Sequence, residues 1–458
     1  MKTKHLLQYV LLLGLCMTSC TFSKEEVTLV SALATKSFVD NGYALSEKEI
    51  VLKAEQYFLG IENSKQSNGG TRSISAMNLS KKTPQVKTIV RTIKYTENDI
   101  EQIPVYVINY TDNRSRTAGG YVVMTGDKRL NKVLVYSDTG SWGNDDPLIQ
   151  NFLDLFWENA DELIKNELAI SDLSIITKSG SIDPCEYYSV FEYYDNANRL
   201  NQPALWSQLD PYNGKLNPMC TLPPTGYSFL SLYPPVGCVA TAMGQIMAYH
   251  RKPTSGSYTN FSGSTVSTTY NWTTMLTAQY ANSLSSSGKE MVQHLLAEIG
   301  EKVNMQYNCV KEDLSTGITS GGSGPSTGGT ILVRSGFTNM GYITAALGED
   351  YNYNAISSEI YANRPVYAGG WTLANYQYNN TFALHAWVID GVNQQMVIET
   401  VVQHCPWQPP VVVDTYFNYH NYVYCNLGAE TPSNYNGFYL SDLFIPNYNN
   451  AFILTGIK

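Results

Sequence analysis

The chain has 458 residues, more than one small hydrophobic core accommodates, so about two domains are expected. Only 15% of residues are charged while 12% are aromatic, including 34 tyrosines, which excludes an intrinsically disordered chain. A formal charge of −9 argues against nucleic acid as a partner and is silent about the reaction.

Lys2, Lys4 and His5 precede an apolar run from Leu6 to Leu15 and then Met17-Thr18-Ser19-Cys20. That run is too short to cross a bilayer and reads as an export signal over residues 1–20. The small residues before Cys20 resemble a bacterial lipobox, with Met17 where Leu is commoner. The resemblance implies lipidation of Cys20 and an outer-membrane or cell-surface location, with release after maturation as a variant. Ser23-Lys24-Glu25-Glu26 is similar to surface-export tags of some Gram-negative lipoproteins.

Residues 21–185 read as a small α+β unit. Ser46-Glu47-Lys48-Glu49 has capping-box spacing and opens a helix through Ile50, Ala54, Tyr57 and Phe58. Residues 62–86 are rich in Ser, Asn, Lys and Gly and are expected to be a loop. Strand-like runs follow at Pro104–Tyr110, Gly119–Met124 and Lys132–Ser137, then a helix over Pro147–Leu168. No nucleophile and base pair up inside this unit.

Residues 186–458 carry the chemistry. Pro234, Pro235 and Gly237 break the chain just before Cys238, and Val239, Met243, Ile246 and Met247 then recur on one helical face. Cys238 therefore begins a helix, beside unsatisfied N–H groups that favour a thiolate. A buried cysteine packed as a small hydrophobe is the competing reading. Residues 253–288 and the Gly/Ser/Thr run Ser315–Thr330 read mostly as loop. Strands are expected at Pro365–Ala368, from about His385 through Gly391, and at Tyr422–Asn426 before Leu427-Gly428. Helices early and strands late make an α+β order.

A cysteine nucleophile needs a base within hydrogen-bond reach. Of six histidines, His5 is in the signal, and His250 lies about 18 Å along the helix from Cys238 at roughly 1.5 Å per residue. His294 sits in a later helix, and His404 and His420 in what reads as an irregular Pro- and Tyr-rich insert. His385, at the mouth of a strand, is the candidate base, and Asn426 the candidate group that orients it. No metal-ligand spacing appears, and no cofactor is implied. The six cysteines beyond the signal make no dense disulfide framework. One bridge, such as Cys405–Cys425, stays open.

Gly237-Cys238-Val239-Ala240-Thr241-Ala242 with Gln245-Ile246-Met247, His385–Gly391, and Gln208 ahead of Pro211-Tyr212-Asn213 closely resemble motifs of the streptopain family of bacterial cysteine peptidases. Gly119–Val123 through Gly126–Arg129 resembles that family's inhibitory propeptide. The resemblance implies a papain-like peptidase domain, residues 186–458, behind an α+β inhibitory propeptide, residues 21–185. It implies thiolate attack by Cys238, acid/base work by His385, and an oxyanion held by Gln208 and the Cys238 N–H. The family follows the orienting Asn with Trp; here Leu427 follows Asn426. The expectation is an exported cysteine endopeptidase made as a zymogen, with protein or peptide substrates and its own propeptide as inhibitor. Self-cleavage is expected near Ile176–Arg199, where Lys178 and Arg199 supply basic residues. The rivals are a peptide- or host-protein-binding homologue on the same fold and a cell-wall peptide amidase.

Overall fold

A computed structural model describes residues 43–68, 82–96, 99–130, 132–143, 149–176, 185–315, 319–320, 322–325, 329–344, 348–371, 384–429, 435–444 and 451–458. All belong to one compact unit, Gly42–Lys458. The signal segment, Cys20 and Lys178 lie outside the described residues.

The capping box forms. The Ser46 N–H donates to Glu49 Oε2 at 2.8 Å, and the Glu49 N–H returns to Ser46 Oγ at 3.3 Å. Helix α1 (Glu47–Asn68) buries Ile50, Ala54, Tyr57 and Phe58. It runs through the first part of the expected 62–86 loop, and strand β1 (Lys82–Lys94) takes the last. One face of β1 is wet and only Ile93 is fully buried, so hydrophobicity alone hides it. Antiparallel partners follow in order, β2 (Ile100–Asp112), β3 (Ala118–Thr125) and β4 (Val133–Ser137). Helix α2 (Gln150–Ile176) starts and ends later than the expected helix.

Strand β5 (Glu186–Arg199) comes next, then α3 (Cys238–His250), α4 (Ser286–Lys302), α5 (Gly329–Asn339) and α6 (Tyr353–Tyr361), with β6 (Glu349–Asp350) between the last two helices. A hairpin, Ser255–Thr259 with Thr265–Thr269, and a short helix, Trp272–Met275, interrupt the expected 253–288 loop. The chain ends in strands: β7 (Val366–Trp371), β8 (Leu384–His404), β9 (Val411–Asn426), β10 (Gly437–Leu440) and β11 (Ala451–Leu454).

The eleven numbered strands share one sheet, ordered β1-β2-β3-β4-β10-β9-β8-β7-β11-β6, with β5 added alongside β8. The two halves of the chain join where Phe438 and Tyr439 of β10 pair with Tyr136 and Val135 of β4. One core runs from Ile50 through Phe152 to Trp387 and Tyr439, and a second surrounds α3 and α4.

Three expectations need correction. The insert carrying His404 and His420 is a regular hairpin: β9 pairs β8 from Asn426 opposite Val388 to Val411 opposite Gln403. Its outer residues, such as Val412, Phe417 and Tyr419, are exposed, so no buried stripe announces a strand. Arg199 is not an exposed processing residue. It closes the β5–β8 ladder opposite Gly391, its guanidinium lies 3.4 Å from the Tyr424 ring centroid, and it faces Asp390 Oδ1 at 3.8 Å. Finally, Cys405 bonds Cys185, and Cys220 bonds Cys309, while Cys425 is a buried thiol.

Candidate active site

Gly237 enters α3 at φ 89°, and a Cβ there would meet Met305 and the Ser323 carbonyl at 3.0 Å. Only glycine makes this entry without strain. No side chain caps the helix, so its first N–H groups are left for another acceptor. The backbone N–H groups of Ala386, the residue after His385, and of Val239 and Cys238 itself favour the thiolate form of Cys238. The start of α3 and the start of β8 therefore meet at the Cys238 sulfur. The expected thiolate preference is not met in this state. Burial pushes the thiol above its usual value, outweighing those hydrogen bonds.

His385 is 1% exposed. Its Nε2 lies 3.1 Å from the Leu427 carbonyl oxygen. A carbonyl only accepts, so Nε2 carries the proton and Nδ1 keeps its lone pair. The Trp387 indole lies parallel to the imidazole, centroids 6.4 Å apart. On another side stands Phe152 of α2, at 5.9 Å from His385 and 5.1 Å from Trp387. Burial pushes the imidazole down to about 4, against the opposing bond to Leu427. Thiol and imidazole thus both rest neutral.

Asn426 does not orient the ring here. Its Oδ1 accepts from the Gly428 N–H at 3.4 Å and from Asn436 Nδ2 at 3.3 Å, while Nδ2 is buried without a partner. Gly428 turns the chain at φ 65°, and a Cβ there would meet Thr241 Cγ2 of α3 at 2.9 Å. That turn presents the Leu427 carbonyl, rather than the preceding side chain, to His385. Leu427 itself is fully buried.

Gln208 lies in a segment tied along α3. Its carbonyl accepts from the Val236 N–H at 2.9 Å, two residues before Cys238. Gln245 Nε2 donates to the Trp206 carbonyl at 2.8 Å, and Thr241 Oγ1 to the Ser207 carbonyl at 3.4 Å. Gln208 is 3% exposed.

The other histidines lie elsewhere. His250 ends α3 against Tyr342. His294 Nδ1 pairs with the Tyr258 hydroxyl at 3.0 Å. His404 ends β8, on the order of 60 Å along the strand from His385 at about 3.3 Å per residue, and His420, opposite Gln395, about half as far. The Leu427 carbonyl, Asn436 and Phe152 were not anticipated. A backbone carbonyl leaves no mark in a residue pattern, and Phe152 reads as ordinary core in α2. Among the described residues no group of His, Cys, Asp and Glu is arranged to hold a metal ion.

Residues 206–439 match the model of the Peptidase C10 family, and residues 44–164 match the Spi protease inhibitor model. Streptopain of Streptococcus pyogenes is 26% identical over 395 residues, covering 79% of this chain and 82% of that protein. The thiol protease/hemagglutinin PrtT of Porphyromonas gingivalis is 27% identical over 217 residues, 44% of this chain and 22% of that protein. A solved fragment of Prevotella intermedia prointerpain A is 21% identical, covers 81% of this chain and 98% of its own, and superposes with a TM-score of 0.45. The α+β, papain-like expectation stands on the two family models, and the half of the chain that holds Cys238 and His385 lies within the first of them. The chain belongs to the Peptidase C10 family of cysteine peptidases and carries a Spi-type inhibitor domain ahead of its peptidase domain.

Proposed function

We propose that this cysteine peptidase is an endopeptidase made as a zymogen, with Cys238 as nucleophile, His385 as acid and base, and Gln208 with the Cys238 N–H as oxyanion donors. The reading is carried by the protonation pattern of His385. An Nε2–H bonded to the Leu427 carbonyl leaves Nδ1 as the nitrogen able to take the thiol proton. The sulfur then attacks a peptide carbonyl carbon, with Gln208 and the Cys238 N–H assigned to stabilise the oxyanion that develops. Collapse breaks the C–N bond, and the imidazolium returns its proton to the departing amine. Water, deprotonated by the same nitrogen, releases the acyl group as a carboxylate and regenerates the thiol.

Inhibition by the first domain follows from Phe152. Its ring is part of the packing that buries His385, and that burial holds the imidazole near 4 and disfavours the proton transfer that makes a thiolate. The domain boundaries of this reading are residues 1–20 for the signal, 21–185 for the propeptide and 186–458 for the peptidase. Lys2, Lys4, the Leu6–Leu15 run and Ser19-Cys20 support export with lipidation at Cys20, placing the chain at the outer membrane or cell surface. Palmitate incorporation that disappears in Cys20→Ser tests the anchor.

Full-length wild type and Cys238→Ala, incubated with casein and followed by mass spectrometry, test the peptidase reading. Wild type is expected to produce internal cleavages and Cys238→Ala none. Equal cleavage by both would remove Cys238 from the nucleophile's role. Casein binding without any cleavage by wild type would favour the binding homologue.

A further inference from the structure

Asn436, just before β10, takes no part in the chemistry described above, yet it is tied to the turn that holds His385. Its carboxamide is 3% exposed and spans two consecutive residues. Asn436 Oδ1 accepts the Leu427 N–H at 2.8 Å, and Asn436 Nδ2 donates to Asn426 Oδ1 at 3.3 Å. Asn426 Oδ1 also accepts the Gly428 N–H at 3.4 Å. The chain leaving β9 is thus tied through the Asn426 side chain and the Leu427 and Gly428 N–H groups, and Leu427 supplies the carbonyl that faces His385 Nε2 at 3.1 Å.

We propose that Asn436 is a positioning residue for His385, acting through the Leu427 carbonyl; the proposal rests on His385 being the base. A carbonyl has no rotamer of its own, so its aim depends on what holds its residue and the turn, and acceptor geometry decides hydrogen-bond strength. An unclamped Leu427 N–H would be a buried donor without an acceptor, relieved by reorienting the backbone and taking the carbonyl off Nε2. The clamp requires one acceptor and one donor on a single short side chain. Asn has both, whereas an ionised Asp lacks the donor. A neutral acceptor also fixes the Nε2–H tautomer without adding negative charge beside the thiol.

Two readouts separate positioning from simple stabilisation. In full-length Cys238→Ala protein, which removes the nucleophile, 15N NMR of the histidine rings should show His385 only as the Nε2–H tautomer, its signal assigned by loss in His385→Ala. Adding Asn436→Ala should give exchange between the two tautomers. In chains with Cys238 intact, processed by an added protease and titrated for active sites, Asn436→Ala should lower kcat about 10–100-fold with KM within about twofold. The Leu427 bond favours the imidazolium, so its loss moves the alkaline limb of kcat/KM to lower pH. Asn436→Asp keeps the acceptor for Leu427 and should fall between wild type and Asn436→Ala. The proposal is overturned if Asn436→Ala keeps the wild-type tautomer and pH limb and loses only melting temperature or active-site count. Should Asn436→Ala fail to fold, Asn436→Asp decides by the same two readouts. Hydrolysis retained in His385→Ala would sink the base assignment, and the positioning role with it. A dead His385→Ala beside an unchanged Asn436→Ala would sink the positioning role alone.

Discussion

Phe152→Ala should wake the uncut zymogen. Phe152 is fully buried, and its ring meets His385, Trp387 and Tyr439 at centroid distances of 5.9, 5.1 and 5.2 Å. Removing a ring packed this way costs about 3–5 kcal/mol, all of it at the surface where α2 lies on the peptidase strands. The cavity sits beside the imidazole and admits water. Relaxation of His385 from about 4 to its ordinary 6.5 would favour proton transfer from Cys238 by up to roughly 300-fold, since each pKa unit is worth a factor of ten. Alkylation reports this directly, because the thiolate is the reactive form. Full-length protein is treated with iodoacetamide at pH 7, and modification of the Cys238 peptide is followed by mass spectrometry on the intact-length species. Phe152→Ala should label at least tenfold faster than wild type, and Phe152→Leu, which refills most of the space, should stay close to wild type. A folded Phe152→Ala protein that labels at the wild-type rate would refute the idea that this ring keeps the pair neutral.

Further outcomes follow from the same geometry. His385→Ala should reduce turnover by about 10²–10⁴-fold, whereas His404→Ala and His420→Ala, tens of Å along the hairpin, should leave kcat of the processed enzyme within about twofold. Gln208→Ala should lower kcat by about 10²–10³-fold with KM nearly constant, read from initial rates after active-site titration. Maturation should cut on the N-terminal side of Cys185, because Glu186–Arg199 is paired along β8 and Cys185 is bonded to Cys405; N-terminal sequencing of the mature chain checks this, and reducing and non-reducing gels should then show the same band. Stability should fall on acidification. His385 and His420 are both held near 4, by burial in each case and by Lys132 as well for His420, so the unfolded chain binds more protons and stability is lost as pH drops from about 6.5 to 4. Asp390, pushed up to about 7 by burial, works the other way, its contribution being present at low pH and lost as pH rises towards 7. Urea midpoints across pH 4–7 should therefore rise with pH, and His420→Asn should flatten the rise.

The candidate nucleophile and candidate base are legible in the sequence because each is a side chain in a distinctive local pattern. Cys238 follows a glycine that the backbone requires, and His385 opens a strand whose next residues, Ala386 to Ile389, are all buried. The group that receives the His385 proton is not legible, because it is a backbone carbonyl whose position depends on Gly428 and Asn436. Asn426 fits the expected pattern yet turns its oxygen towards Gly428 and Asn436. The long hairpin is missed for a different reason. Exposure on both faces of its outer half removes the alternation that marks a half-buried strand. Disulfide pairing depends on tertiary proximity, and Cys185 lies 220 residues from Cys405.

Among the described residues, the inhibitor domain is joined to the peptidase by sheet contacts as well as by Phe152. β4 pairs with β10, the Tyr422 hydroxyl donates to the Val133 carbonyl at 3.2 Å, and Asn393 Nδ2 donates to the Tyr136 hydroxyl at 2.6 Å. The Tyr121 hydroxyl reaches the Asn436 carbonyl at 3.2 Å, so a strand of the first domain touches the residue that clamps the histidine turn. Breaking one peptide bond between α2 and β5 leaves every one of these contacts in place. The cut removes only the tether, and the domains then part at a rate set by burial and hydrogen bonding at the shared sheet. His420 lines a cavity at that junction with Lys53 and Tyr57 of α1, and its protonation would place a second cation beside Lys53 in a poorly hydrated space. On the zymogen proposal, acid would loosen the same surface that proteolysis leaves intact: the cut would let the domains separate, and the interface would decide how soon His385 is rehydrated.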